Sequence, residues 1–232
     1  MAQLGWHVDI EQCIACRGCQ VACKQELVLP AGIDRRRVLV QEGMSPTGRP
    51  FRQHVTVACM HCEQPACVAA CPVERYWKDT AENEPLRVAF GLSSNPVTGL
   101  VLIKPGKEEN PEAGVDCIRC RRCVAACPFG AARVDTCRSC GQCTNSRKHP
   151  GGRPAEKCTG CYHRLFDLNL PEGRRKPACV ITCPSGALTF GELSGFTGSE
   201  TTWDGAPPPG AREIADPSLT RPSVRFRPLV QR

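Results

Sequence analysis

Between Cys117 and Cys127 the chain reads "CIRCRRCVAAC", four cysteines in eleven residues, and Pro128 follows directly. The spacing is C-x2-C-x2-C-x3-C-P. No hydrophobic core is built from a segment like this, because every third or fourth side chain is a thiol. Related blocks recur along the chain: Cys13, Cys16, Cys19 and Cys23; Cys59, Cys62, Cys67 and Cys71; and a split block of Cys158 and Cys161 with Cys179 and Cys183. Cysteine reaches 19 of 232 residues, about 8 %, near the level of a cross-linked or metal-bound scaffold. With aromatic residues at only 5 %, apolar burial alone is thin support for a chain of this length.

A secreted disulfide scaffold fits poorly. The opening "MAQLGWHVDIEQC" shows no basic stretch leading into an apolar run, so no secretory signal is expected. The cysteine count is odd, and C-x2-C repeats are metal-ligand spacing. No apolar run approaches the length of a membrane span. The formal charge of +7 suggests nucleic acid at first sight. It counts every thiol as neutral, however, and sixteen thiolates around four [4Fe-4S](2+) clusters would bring it to about −1. No nucleic-acid-binding motif accompanies the charge, so no nucleic-acid partner is expected.

Short strand signals precede the blocks, "WHVDI", "HVTVA" and "GLVLIK". "CVAAC" and "CVITC" each allow one helical turn, which Pro128 and Pro184 close because the residue before proline avoids the helical region. "FGAARV" and "SGALTF" then read as turn and strand. The segment "RYWKDTAENEPLRVAFGLSSNPV" reads as a polar, irregular surface insertion. From about Gly195 the tail is rich in Pro, Gly and charge and is expected to form no core of its own. It is left either disordered or extended along a partner, with Trp203, Phe226 and Leu229 as anchors.

C-x2-C-x2-C lets one loop offer three sulfurs to a face of an iron–sulfur cube. The fourth cysteine of such a block serves the neighbouring cluster in two-cluster ferredoxins, so blocks work in pairs. A structural zinc prefers two-by-two ligand sets around one ion. Four blocks therefore point to four [4Fe-4S] clusters, with a zinc scaffold as the rival. His61, inside the second block, is expected to act as a hydrogen-bond donor beside the ligands. Arg17, Lys24, Arg119, Arg121, Arg122 and Arg164 lie in or beside the loops, either as solvated surface or as charges that favour the reduced cluster or meet an acidic partner. No nucleophile–base pair, phosphate loop or dinucleotide fingerprint is present, so no active site is expected in this chain.

With "CMHCEQPACVAACP", "AGIDRRRVLVQEG", "KCTGCYHRL" and "PACVITCPSGALTFGEL" the sequence resembles the four-cluster iron–sulfur subunits of the dimethyl sulfoxide reductase (molybdopterin) family over residues 6–193. The resemblance implies an α+β fold of two ferredoxin-like bis-[4Fe-4S] modules, one inserted in the other. The outer module takes 1–50 and 144–194, the inner one 51–136; a cysteine-containing insertion at 137–157 and an extended Pro-rich tail at 195–232 complete the chain. It also implies the ligand sets Cys13, Cys16, Cys19 with Cys183; Cys158, Cys161, Cys179 with Cys23; Cys59, Cys62, Cys67 with Cys127; and Cys117, Cys120, Cys123 with Cys71. The partners it implies are a molybdopterin (Mo or W) catalytic subunit and an integral membrane anchor that exchanges electrons with quinone. Membrane association would then come through those subunits, with the cytoplasmic and periplasmic faces both open. A free-standing polyferredoxin carrier is the alternative.

Cys137, Cys140 and Cys143 depart from that pattern. They are read as free thiols, as a zinc site completed by His149, or as ligands of a further cluster.

Overall fold

The computed structural model describes residues 3–29, 32–45, 47–134, 155–197 and 217–227. It is a mixed α/β structure of small sheets and short helices. In chain order these are β1 (Leu4–Asp9), α1 (Gly18–Glu26), β2 (Arg37–Met44), β3 (Pro50–Val57), α2 (Ala66–Ala69), β4 (Tyr76–Lys78), α3 (Glu84–Ala89), β5 (Val101–Ile103), α4 (Arg122–Ala126), β6 (Arg133–Val134), β7 (Ala155–Glu156), α5 (Tyr162–Leu165), α6 (Ala178–Ile181), β8 (Leu188–Glu192), α7 (Pro217–Thr220) and β9 (Val224–Arg227).

Elements at the two ends of the chain pair with each other. β1 runs antiparallel to β8, with Trp6 opposite Phe190, and α1 packs on α6. The middle elements do the same: β4 pairs antiparallel with β5, and α2 packs on α4. β2 and β3 form a long antiparallel hairpin between these groups. One buried cluster runs through all of them, including Trp6, Val55, Leu100 and Phe226. The expected strands before the blocks, the helical turns within them and the strands after Pro128 and Pro184 are all present.

Two expectations need correction. The segment at 75–97 is not an irregular surface insertion. It contains β4 and α3, and its polar residues close on themselves: fully buried Asp79 pairs with Arg87 and accepts a hydrogen bond from the Thr98 N–H at 2.9 Å, while Arg87 donates to the Leu92 carbonyl at 2.9 Å. A buried ion pair of this kind holds only when its remaining donors are also satisfied.

The tail is not outside the fold where it is described. β9 lies parallel to β1 along the edge β8 leaves open, and Phe226 is fully buried. The other two expected anchors, Trp203 and Leu229, lie outside the described residues. The chain reaches the β1 edge over the second cysteine block. Ser223 N–H donates to the Met60 carbonyl at 2.8 Å, Ser223 Oγ to the His61 carbonyl at 2.8 Å, and Gln64 N–H to the Thr220 carbonyl at 3.1 Å. Gly5 makes the close approach possible, since a Cβ there would sit 2.2 Å from the Ser223 carbonyl oxygen. Ser223→Ala is expected to destabilise the cluster-loaded protein by about 1–2 kcal/mol, because the His61 carbonyl loses its buried donor. A lower urea midpoint at unchanged slope is the expected reading.

Candidate metal centres

Each cysteine block opens on a loop whose backbone is bent the same way. The residue two places after the first cysteine has a left-handed φ in all four: Ala15 at 58°, His61 at 45°, Arg119 at 56° and Gly160 at 70°. In a non-glycine residue that conformation costs about 1–3 kcal/mol and persists only where its surroundings fix it. Here it aims the residue's own N–H back at the first sulfur. Arg119 N–H donates to Cys117 Sγ at 3.4 Å and Gly160 N–H to Cys158 Sγ at 3.3 Å, and the backbone of Ala15 and of His61 lowers the pKa of Cys13 and of Cys59 in the same way. Further N–H groups reach other sulfurs: Arg75 to Cys71 at 3.2 Å, Ala131 to Cys127 at 3.4 Å and Ala155 to Cys117 at 3.3 Å. Backbone donors turned toward sulfur favour the thiolate over the thiol.

The sulfurs fall into sets. Cys13, Cys16, Cys19 and Cys183 line one cavity, with Val38, Thr56 and Leu188. Cys59, Cys62, Cys67 and Cys127 line a second, with Phe129 and Thr220. Cys161 lies within electrostatic reach of Cys158, Cys179 and Cys23. Cys123 is in reach of Cys117 and Cys71, and Cys120 stands exposed on the same loop. Adjacent sets lie within electrostatic reach of each other: Cys67 of Cys123, Cys59 of Cys158, and Cys179 of Cys19. The four sets therefore form a row, from the Cys117 set through the Cys59 and Cys158 sets to the Cys13 set. Its two ends carry the exposed cysteines, Cys120 and Cys16.

Burial raises Cys13, Cys23, Cys59, Cys62, Cys67, Cys123, Cys161 and Cys179, and sulfur neighbours add to it. Cys23, Cys67 and Cys161 are each pushed up to about 12, and Cys59 to about 11 against an opposing effect of Lys157. Such groups ionise at neutral pH only when a cation takes the place of the proton. The sulfurs surround a space instead of converging on a point. Among the described residues, no three His, Cys, Asp or Glu side chains are placed to share one ion. A tetrahedral zinc with Zn–S bonds of about 2.3 Å would draw its sulfurs to within about 3.8 Å of each other. The donor set thus fits a polynuclear iron–sulfur cluster better than a single metal ion.

The family comparison agrees with that donor set: the 4Fe-4S dicluster domain matches residues 51–193, more than half of the chain. The chain belongs to the 4Fe-4S dicluster family. Among its relatives is a sulfite dehydrogenase subunit of Allochromatium vinosum, 30 % identical over 83 % of this chain and 70 % of the relative. A putative dimethyl sulfoxide reductase iron–sulfur subunit of Halobacterium salinarum is 32 % identical over 83 % and 67 %. The thiosulfate reductase electron transfer subunit of Salmonella typhi is 33 % identical over 80 % and 73 %. The similarity to iron–sulfur subunits of the dimethyl sulfoxide reductase type is therefore a property of most of this dicluster protein's length.

Other residues singled out in the sequence settle as follows. His61 is buried and stacks on Trp6 with ring centroids 5.0 Å apart. Its Nδ1 accepts from the Val101 N–H at 3.1 Å, so the proton belongs on Nε2, which has no protein partner. Burial holds its pKa well below the ordinary histidine value, with Lys157, Lys78 and Arg36 acting in the same direction. Among the described residues the His61 ring accepts a hydrogen bond and donates none, so the expected donation beside the ligands is not seen. Of the loop cations, Lys24 pairs with Asp34 at 3.3 Å and Arg164 with Glu26 at 2.7 Å, while Arg17, Arg121 and Arg122 are exposed. The triplet Cys137, Cys140 and Cys143, with His149, lies outside the described residues.

The sequence reading missed Arg36 and Lys157, which are 3 % and 1 % exposed. Arg36 sits inside "DRRRVLV" and looks like part of a solvated charge run. The period-2 alternation of the following strand puts it in step with buried Val38, and that is the signal that could have found it.

Proposed function

We propose that the chain is the electron-transfer subunit of a molybdenum or tungsten oxidoreductase and carries four [4Fe-4S] clusters. The observation that carries this reading is the row of four sulfur sets. In it Cys13, Cys16, Cys19 and Cys183 hold one cluster; Cys23, Cys158, Cys161 and Cys179 the next; Cys59, Cys62, Cys67 and Cys127 the third; and Cys71, Cys117, Cys120 and Cys123 the fourth. The outer elements around β1, α1, α6 and β8 form one ferredoxin-like module, and the inner ones around α2, β4, β5 and α4 form the second, inserted module. When bound, such clusters each accept and release one electron at potentials set by their surroundings.

The chain's own residues hold the cluster sulfurs in fixed loops, donate backbone N–H groups to them and exclude water from the two middle sets. They place one lightly covered set at each end of the row. An arrangement of that kind passes electrons between two partners and transforms no substrate. The partners proposed are a molybdopterin catalytic chain at one end and a membrane anchor at the other. Among the described residues no helix is long and apolar enough to cross a membrane, so attachment would come through the anchor. The zinc reading of Cys137, Cys140, Cys143 and His149 stays a proposal alongside, testable by zinc content at about one per chain.

Purification under anaerobic conditions from native membranes tests the assignment. A subunit co-purifies with a large chain that contains molybdenum or tungsten. A protein that runs alone, with its iron intact, is the free-standing polyferredoxin instead. Cys183→Ser tests the long-range ligand sets: about one quarter of the bound iron should be lost or converted to a three-iron centre, with the other three centres retained.

A further inference from the structure

Arg36 and Lys157 are buried cations without a carboxylate. Of the surface cations near the blocks, Arg17, Arg121 and Arg122 are exposed, Arg119 is half-buried, and Lys24 and Arg164 are answered by Asp34 and Glu26. Among the described residues, neither Arg36 nor Lys157 forms an ion pair with Asp or Glu. A cation taken out of water without a counter-charge is strongly disfavoured, so something anionic must stand beside each. Only sulfur does.

Each sits at a joint of the row. Arg36 Nη1 donates to Thr56 Oγ1 at 3.1 Å, and Thr56 Oγ1 lies 3.4 Å from Cys19 Sγ. The same guanidinium lies within electrostatic reach of Cys179 and 5.9 Å from the centre of the Trp6 ring. It therefore joins the Cys13 set to the Cys158 set. Lys157 is covalently next to Cys158; its Nζ donates to the Cys158 carbonyl at 2.8 Å and to the Val101 carbonyl, and lies 5.9 Å from the Tyr76 ring. Its charge is felt by Cys59 and Cys67. It joins the Cys158 set to the Cys59 set. The Cys117 set has neither neighbour. There the Tyr76 hydroxyl points at Cys123 Sγ at 3.8 Å.

We propose that Arg36 and Lys157 are fixed charges that raise the reduction potential of the centres at these joints, two centres each, with the Cys23/Cys158/Cys161/Cys179 centre raised by both. The inference rests on the four-cluster reading above. Reduction adds one electron to a centre and no proton, taking a thiolate-bound [4Fe-4S] site from about −2 to about −3. A buried cation beside it stabilises the more negative form in a medium of low dielectric.

The test is a redox titration of the anaerobically purified holoprotein, followed by electron paramagnetic resonance. Arg36→Gln should lower two of the four midpoints, each by at least tenfold in the reduction equilibrium, which is about 59 mV for a one-electron couple. Lys157→Gln should lower two, one of them shared. The double variant should lower three, the shared centre most, and leave one unmoved. Arg36→Lys and Lys157→Arg keep the charge and should leave every midpoint within that margin, although they alter packing as much as the neutral variants do. Four intact centres whose midpoints do not move, or all move together, overturn the proposal. So does a charge-keeping variant that shifts them as far as its neutral counterpart. If a neutral variant is isolated short of iron, the charge-keeping variants decide: a midpoint shift as large as tenfold in Arg36→Lys or Lys157→Arg counts against the proposal. Fewer than four centres in the unsubstituted protein would instead remove the underlying four-cluster reading, a distinguishable result.

Discussion

Stripping the iron with a chelator under anaerobic, reducing conditions is expected to unfold the protein. The near-ultraviolet dichroism should collapse, and limited proteolysis should cut throughout the described elements. The reason lies in what the sulfurs leave behind. Apolar side chains are sparse, and a large share of the buried positions are cysteines. Without iron Cys59, Cys23, Cys67 and Cys161 are neutral thiols, since burial pushes Cys59 up to about 11 and the other three to about 12. Arg36 and Lys157 are then buried with nothing to balance them. The strained left-handed residues Ala15, His61 and Arg119 lose the reason for their conformation. A single structural metal site can supply about 10–16 kcal/mol of folding free energy, against a total stability of about 5–15 kcal/mol for a typical protein. Sites of that kind therefore dominate the balance. An iron-free chain that kept native dichroism and one cooperative transition would contradict this.

The second large effect is expected at a residue with no part in metal binding. Asp79→Ala should destabilise the loaded protein by about 3–5 kcal/mol, because it removes the buried carboxylate of the Arg87 guanidinium and leaves it only the half-exposed Glu84. That corresponds to a drop of about 6–20 °C in Tm for a chain of this size. The loss should be selective in its consequences. β4 follows directly into Asp79, and Tyr76 on β4 carries the hydroxyl that faces Cys123. The centre of the Cys117 set should therefore be the first to bleach in air. Replacing both partners, Asp79→Ala with Arg87→Met, should recover most of the stability, since an apolar pair of similar volume avoids the unpaired charge. If the double variant is as unstable as Asp79→Ala alone, the ion pair is not what holds this segment.

How much of this could be read from the sequence varies with the distance over which the signal acts. The cysteine loops were legible because spacing, proline and helical turn all lie within a dozen residues. The strands at Leu4–Asp9, Val101–Ile103 and Leu188–Glu192 announced themselves by local composition. The tail was not legible. Its Pro and Gly content rules out a core of its own, yet Val224 and Phe226 fill a place on β1, and Arg227 pairs with Asp9 at 3.1 Å across almost the whole chain. Composition has no access to a pairing of that range. The segment at 75–97 failed for a related reason: Asp79, Arg87 and Thr98 read as solvated side chains until the fold turns them toward each other. Arg36 was hidden by its neighbours Arg35 and Arg37, one of which, Arg35, pairs with Glu156 at 3.4 Å.

The central claim is that four sets of four sulfurs each hold a [4Fe-4S] cluster in a row. Iron and acid-labile sulfide analysis, joined to electron paramagnetic resonance of the dithionite-reduced holoprotein, tests it most directly. The account predicts about sixteen iron and sixteen sulfide per chain, with mutually broadened signals from neighbouring paramagnets. A fully metal-loaded preparation that contains zinc without sulfide, or that stays silent on reduction, would contradict it.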